Sequence, residues 1–470
     1  MCRIYVRPLE YVQITYSVFF SFTHYHKLMV NSVMIKPYSL QSNRSNSVMS
    51  SLPFTPQTVL LTAALVLISA CSSSGEDEPD TINPDTMNPG TDTTPPANPP
   101  LGSSEDAQYG FFASRASDYT SGRVDRISLN DGNTVDVMFP GTLSDIAVTT
   151  DNENLYEIGR FNLDYVTRYD PSDTSIVDYQ ISVIEGEEVT SNPQAIAFID
   201  DTKAYMTRRS SDKLWIIDPD PETNAEFKIG EIDLGAYDTD LPNMTDAIIV
   251  DDKLFVLVER LQELESGSQI PDKSGYLVVI DTRTDTEIET MQSPGDLKGI
   301  ELLVRNPTAL QYNEETGEIY VVGRGNYFKN EMITTDFHSG GIEVIDPTTY
   351  EHSLLLDDGT DDDNEGYFVD AVVINANLGY LLTYKEFTVT TLRTFNPTTG
   401  ILMDTLIEGL QDVDITLIEE GPDNHLWVGI NDATPGFYRI DLATGELDSD
   451  RIATELIPLD LVFISVPAED

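Results

Sequence analysis

The sequence predicts an all-β fold of one kind, a seven-bladed β-propeller closed by its own C-terminal strand. Three observations carry this. A short apolar strand recurs seven times: SDIAVTT (144–150), PQAIAFI (193–199), TDAIIVD (245–251), PTALQYN (307–313), VDAVVIN (369–375), VDITLIE (413–419) and LDLVFIS (459–465). The first six copies are each followed by a partner strand, in order LYEIGR, AYMTRR, LFVLVER, IYVVGR, GYLLTY and LWVGIN. The repeat is also split, because a partner, YGFFAS (109–114), stands alone at the start and the copy at 459–465 stands alone at the end. Regularly spaced short strands between turn residues indicate a repeat-built β fold. A ring reunites the two orphan strands in one blade and leaves only short, protected sheet edges. An open solenoid leaves the split unexplained.

Along the chain, the propeller is preceded by segments of a different kind. TVLLTAALVLISA is an apolar run of 13 residues leading up to Cys71. It is shorter than the ~20 residues a membrane-spanning helix needs and suits the apolar region of a secretory signal. Its end, Ile68-Ser69-Ala70-Cys71, resembles the bacterial lipoprotein signal. The resemblance implies cleavage before Cys71 and a lipid on its thiol, and Ser72, not being Asp, favours the outer membrane, with the domain on the periplasmic side or at the cell surface. Residues 1–33 do not look like the basic start of such a signal and read as a mis-assigned start. Met34 is the better one, since it places Lys36 and Arg44 ahead of the apolar run and makes 34–70 the signal peptide. Beyond position 70 the only cysteine is Cys71, so a lipidated chain has no disulfide even on an export route that allows one. Residues 71–106 are rich in Pro, Ser, Thr and Asp and nearly free of large apolar side chains; such a stretch buries no core and reads as an extended acidic tether.

The chain carries 27 Lys and Arg against 80 Asp and Glu, for a formal net charge of −53. That field repels nucleic acid and anionic membrane surfaces and welcomes cations and basic partners. Membrane association therefore falls to the lipid anchor, and no nucleic-acid partner is expected.

The propeller occupies residues 107–466. Its third strands (RVDRISLN, YVTRYDP, KLWIIDP, YLVVIDT, GIEVIDP, TLRTFNP, FYRIDLA) run into turns headed by Asp170, Asp218, Asp281, Asp346, Asn396 and Asp441. Asx side chains in such turns bond the local backbone. The second strands are led by Tyr156, Tyr205, Phe255, Tyr320, Tyr380 and Trp427. With the Asp-Pro-x-Thr-like turns, this pattern resembles the YVTN-type propellers of bacterial and archaeal surface proteins. The resemblance covers nearly all of the folded part and implies the fold more than a function, because propellers host many functions.

Charges recur with the repeat. In a propeller the first strand of each blade lines the central channel, and its start lies beside the end of the second strand. Reading the hairpins this way pairs Asp145 with Arg160, Gln194 with Arg209, Asp246 with Arg260, Thr308 with Arg324, Asp370 with Lys385 and Asp414 with Asn431, while ring closure pairs Asp460 with Arg115. Six of the 22 basic residues beyond position 70 then share one repeat position at the channel mouth. Clustered carboxylates repel one another unless a cation neutralises them, so Asp145–Arg160, Asp246–Arg260, Asp370–Lys385 and Asp460–Arg115 read as structural ion pairs. Where the pairing fails, at Asp414 and Asn431, at Arg209 with Gln194 and at Arg324 with Thr308, the groups are candidates for ligand binding.

Loop lengths point to the same face. Leu261–Gly275, Gln292–Asn306 and Gly325–Gly340 are long and belong to blades 4 and 5, and long loops in compact folds are usually functional. The last of these supplies Tyr327, Phe328, Asp336 and His338 as further ligand-contact candidates. The acidic stretch DDGTDDDNEGYFVD (357–370) resembles a calcium loop by acid density, counting from Asp361 through Asp363, Glu365 and Gly366, but its twelfth position is Val372 where such loops need Glu. A solvated loop is the expectation and no cofactor is assigned, with Ca2+ or another divalent cation as the alternative.

The sequence lacks a GxSxG elbow, an HExxH, a CxxC and a phosphate loop. The leading functional expectation is a lipid-anchored, non-catalytic binding module. It would capture a small molecule, glycan or protein on the propeller's top face, and it resembles surface lipoproteins that hand ligands to outer-membrane transporters. The alternative is a lactonase- or lyase-like propeller enzyme, in which Asp145, Asp246, Asp370 and Asp414 hold a divalent cation at the channel mouth.

Overall fold

The computed structural model describes residues 107–131, 133–137, 143–173, 176–264, 269–326, 338–360, 362–386, 389–411 and 413–466. The expected start region (1–33), signal peptide (34–70), lipid site Cys71 and tether (71–106) lie outside them, as do Tyr327, Phe328 and Asp336.

Seven antiparallel sheets follow one another along the chain. Blade 2 is typical, with strands Ile146–Thr150, Leu155–Gly159, Tyr165–Tyr169 and Val177–Ser182 in that spatial order from the channel outward. Blades 3, 5, 6 and 7 repeat it, beginning at Pro193, Pro307, Tyr367 and Ile415. Blade 4, beginning at Met244, adds a short fifth strand, Ile300–Glu301, against its third strand, Tyr276–Asp281. Two of the long loops are therefore partly structured, since the one after blade 4's second strand also carries a small ribbon, Gln262–Glu263 with Gln269–Ile270.

Blade 1 is built from both ends of the folded region. Ile457–Val466 pairs antiparallel with Ala107–Arg115, which continues to Gly122–Ser128 and Thr134–Val137. This is the closure that the split repeat requires.

The core lies between blades. Among the described residues, seven hydrophobic clusters form, and each joins one blade to the next. Phe111, Val124 and Ile464 of blade 1 meet Ile146 and Leu155 of blade 2, and Trp427 and Phe437 of blade 7 meet Phe112 and Leu461 of blade 1. Seven junctions for seven blades close the circle. The aromatic residues leading the second strands are all buried there. Where they carry a polar atom, a turn carboxylate often receives it: Tyr156 Oη donates to Asp151 at 2.7 Å, Trp427 Nε1 donates to Asp423 at 3.0 Å, and Tyr205 Oη reaches Asp285 of the next blade. An aromatic body inside and a hydrogen-bonded tip at the rim satisfies both halves of these side chains.

The six Asx turns form locally. Asp170 accepts from Ser172 N at 2.8 Å, Asp218 from Asp220 N at 3.0 Å, Asp281 from Arg283 N at 2.9 Å, Asp346 from Thr348 N at 2.7 Å, Asn396 from Thr398 N at 3.1 Å and Asp441 from Ala443 N at 2.8 Å. The Ser172 hydroxyl at Asp170, the Arg283 guanidinium at Asp281 and the turn N–H groups at Asp346 and Asp441 are the main causes that hold these carboxyls below the usual carboxylate range.

Trp427 is fully buried at the junction that closes the ring. Trp427→Ala should lower the unfolding free energy by about 3–5 kcal/mol, read from urea denaturation followed by far-UV circular dichroism. A loss under about 1 kcal/mol would mean that blade 7 and blade 1 do not depend on each other.

Candidate functional site

The channel mouth is set by the register between first and second strands. In blade 2 that register is continuous, but in the other six a β-bulge interrupts it near the start of the first strand. A bulge inserts one residue and re-aims those around it. The backbone bonds then show which residues are equivalent. Arg160 N donates to Asp145 O, Arg209 N to Asn192 O, Glu259 N to Asn243 O, Arg324 N to Asn306 O and Asn431 N to Asp414 O. Asp145 and Asp414 thus share a level with Asn192, Asn243 and Asn306. These three asparagines have φ of +50°, +57° and +51°, in the left-handed region that asparagine tolerates better than most residues.

The five aspartates expected at one level therefore occupy two. Asp246, Asp370 and Asp460 sit in the bulges, and each accepts the N–H of the residue after it: Ala247 at 2.8 Å, Ala371 at 2.9 Å and Leu461 at 3.0 Å. One oxygen of each thus caps the backbone at the irregularity. Asp460 also receives Val148 N of blade 2 at 3.0 Å.

The cationic ring is corrected in the same way. In blade order the residues at the second-strand position are Arg115, Arg160, Arg209, Glu259, Arg324, Tyr384 and Asn431. Arg260 and Lys385 fall one residue later. Arg260, at φ +57°, donates to Ser274 O at 3.2 Å, approaches Asp238 at 3.8 Å and lies over the Tyr276 ring. Asp370 is opposite Leu382, not Lys385.

Arg160 and Arg209 each hold a carboxylate of this ring directly. Arg160, 2% exposed, holds Asp145 through Nε at 3.0 Å and Nη2 at 2.9 Å. Burial nonetheless raises the Asp145 carboxyl, against the pull of Arg160 and, more weakly, of Arg209. Arg209 was expected to lack a carboxylate, facing only Gln194. It instead reaches across to blade 4 and binds Glu259 at 2.8 Å and Gln269 at 3.2 Å. Arg324 is buried and is not unpaired either. Gln194 bonds Asn192 at 2.6 Å within its own strand.

Asp414 is the distinctive group. Its Oδ2 accepts from Asn431 Nδ2 at 2.7 Å, while its buried Oδ1 has no hydrogen-bond partner. Burial pushes its carboxyl up to about 6, against the hydrogen bond from Asn431 and the field of Arg115 in the neighbouring blade. Arg115, 1% exposed, is itself lowered by burial and stacks on the Tyr119 ring at 3.9 Å. Arg115 lies in the field of Asp414 as well as that of Tyr119. Arg160 Nη1, Gln194 Oε1, Thr308 Oγ1 and Thr416 Oγ1 are likewise buried without hydrogen-bond partners. Around the mouth, donors and acceptors of both kinds are thus incompletely used.

His338 is buried rather than displayed. It stacks on Tyr367, with centroids 4.9 Å apart, and faces the buried Asp358 at 3.3 Å. In the acidic loop, Glu365 pairs with Arg393 at 2.8 Å, and the segment is folded on itself by an isolated bridge between Gly359 and Asn364. Among the described residues, no three His, Cys, Asp or Glu side chains are grouped to hold a metal ion. Below the mouth, Asp246, Asp370, Glu419 and Glu420 line a channel cavity. The repeat position of Glu259 and the two glutamates on the channel wall escaped the sequence reading. An Asn-Pro or Asn-Met step before the first strand was the available signal for the true level.

Burial raises Asp414 from 3.8 to about 6, so the folded protein keeps a proton there that the unfolded chain releases. Its contribution to stability is full below pH 3.8 and is lost as pH rises through about 6. Asp414→Asn should flatten this part of the stability–pH profile, as read by thermal unfolding from pH 4 to 7. An unchanged profile would remove Asp414 as its source.

No protein-family model and no curated protein sequence matches the chain. Solved structures do. A Lactobacillus plantarum protein aligns with TM-score 0.52 at 12% identity, over 76% of this chain and 99% of that one. A candidate 6-phosphogluconolactonase from Bacteroides fragilis aligns with TM-score 0.49 at 12% identity, over 78% and 100%. AztD from Citrobacter koseri aligns with TM-score 0.43 at 11% identity, over 78% and 100%. At these identities the likeness is one of fold, and the fold is a β-propeller.

Proposed function

We propose that this protein is a lipid-anchored, extracytoplasmic binding module of the YVTN-like propeller type that captures a small polar ligand at the mouth of its channel. The observation that carries the reading is the set of buried mouth atoms without hydrogen-bond partners: Arg160 Nη1, Gln194 Oε1 and Asp414 Oδ1. Buried polar groups are nearly always satisfied, and leaving one unmade costs about 1–3 kcal/mol. Donors and acceptors on one rim suit a ligand rich in both, such as a glycan fragment or a hydroxylated small molecule. Anchoring through Cys71 and a tether over 71–106 would place that rim at the outer membrane, where it could pass its ligand to a transporter or surface partner.

Full-length protein extracted in detergent from its own membranes, then denatured, should release a polar small molecule at near one per chain by mass spectrometry. Asp414→Asn combined with Arg160→Gln should deplete it at least tenfold. Absence of any released molecule from the unaltered protein would overturn the reading. For the anchor, Cys71→Ser should abolish incorporation of labelled fatty acid and shift the chain from the membrane to the soluble fraction; continued labelling would place the lipid elsewhere.

A further inference from the structure

The seam where blade 7 meets blade 1 carries a carboxyl whose two oxygens are not equivalent. Asp414, 6% exposed, accepts from Asn431 Nδ2 at 2.7 Å through Oδ2, while its buried Oδ1 has no hydrogen-bond partner. The bond from Asn431 keeps Oδ2 an acceptor, so a proton taken up by this carboxyl goes to Oδ1. Protonation then turns the unused oxygen from an acceptor into a donor. Burial, which pushes this carboxyl up to about 6, sets the change between neutral and mildly acidic pH.

Among the described residues, the charged and titratable groups that bear on Asp414 are Arg115 and Tyr119 of blade 1. From its own blade it meets the Asn431 amide. From blade 6 the uncharged Thr390 hydroxyl donates to Val413 O at 2.8 Å and accepts from Ile415 N at 2.8 Å, fixing the backbone on either side. Arg115 is held in place: its guanidinium lies 3.9 Å over the Tyr119 ring, and Nη1 donates to Ala116 O at 3.4 Å. Tyr119 has φ +61°, where a tyrosine is uncommon, and its carbonyl accepts from Ser144 Oγ at 3.0 Å. Residues held in this way often belong to ligand clamps.

Given the binding module proposed for the mouth, we infer that its ligand is a small molecule bearing a carboxylate, a hydroxy acid or sugar acid, captured together with a proton from solvent. Asp414 Oδ1–H donates to the ligand carboxylate in the field of Arg115. A donor at Oδ1 calls for an acceptor oxygen, and the proton raises the net charge of the seam by one unit, which favours an anion. Arg160 Nη1, buried and without a hydrogen-bond partner two blades on, offers the ligand a second donor. The acid on the outside of the propeller opposes this weakly, because exposed charges are largely screened beyond about 8 Å at physiological salt.

Isothermal titration calorimetry of the full-length protein, dialysed in detergent at physiological salt, tests this with D-glucuronate as probe and D-glucose as its uncharged comparator. Proton and ligand strengthen each other's binding reciprocally, so glucuronate should bind about tenfold or more tightly at pH 5 than at pH 8. At pH 7 its binding should take up nearly one proton, read from buffers of different ionisation enthalpy, and glucose should show neither effect. Asp414→Asn, which keeps an uncharged N–H donor at the Oδ1 position, should bind glucuronate equally at pH 5 and pH 8. Arg160→Gln should weaken binding at both and leave their ratio unchanged. Near-UV circular dichroism matching the unaltered protein establishes that the variants are folded, and the proton count on the unaltered protein stands without them. No glucuronate binding at pH 5, equal affinity at the two pH values, or a pH dependence that survives in folded Asp414→Asn would each overturn the inference. Release of an uncharged molecule from the denatured protein would overturn it too, yet leave the binding module standing, so the two readings fail separately.

Discussion

The pairing of Ile457–Val466 with Ala107–Arg115 is the constraint on which the molecule depends. It joins strands some 350 residues apart in sequence, and the order it imposes is offset by what it completes. Two of the seven inter-blade clusters draw on the closing strand, through Leu461 and Ile464. Without that strand, the inner edge of blade 1 would be an open row of backbone donors and acceptors, a template for association with other chains. Closure joins the seven sheets into a ring with a hydrophobic cluster at every junction.

Closure also explains how so acidic a chain keeps arginines at its centre. Most of the surplus acid is on the outside or in turns, where solvent screens it. At the rim of the channel, burial removes that screening, and charges there must be matched. The matching runs around the ring as well as within blades: Arg160 holds Asp145 inside blade 2, Arg209 crosses to Glu259, and Arg115 faces Asp414 across the closing junction. Buried ion pairs are weak evidence for net stability. Crossing blade boundaries, they do specify which blade edges meet.

The result is a channel with two chemical zones. The rim is mixed, with buried donors and acceptors that the protein does not fully use. The wall is acidic and partly apolar. A propeller can vary such zones without altering its frame, because only part of each inner strand's side chains line the channel, while the others, such as Ile146, Ile415 and Leu461, pack between blades.

Much of the architecture is legible in the sequence. The seven repeats, the split first blade, the buried aromatic leaders and the six Asx turns all depend on local periodicity or on contacts two or three residues apart, and linear sequence records both. The ion pairs were legible only in part. Asp145 with Arg160 and Asp414 with Asn431 follow from hairpin spacing, since in both the aspartate directly precedes the first strand. Asp246, Asp370 and Asp460 occupy the same place in the repeat as Asp145 and Asp414, yet a one-residue bulge puts them at another level, and a bulge is a property of the pairing of two strands. The pairing of Arg209 with Glu259 and the field of Arg115 at Asp414 reach between blades. They are decided by how far one sheet is rotated against the next, a quantity that arises only when the ring closes.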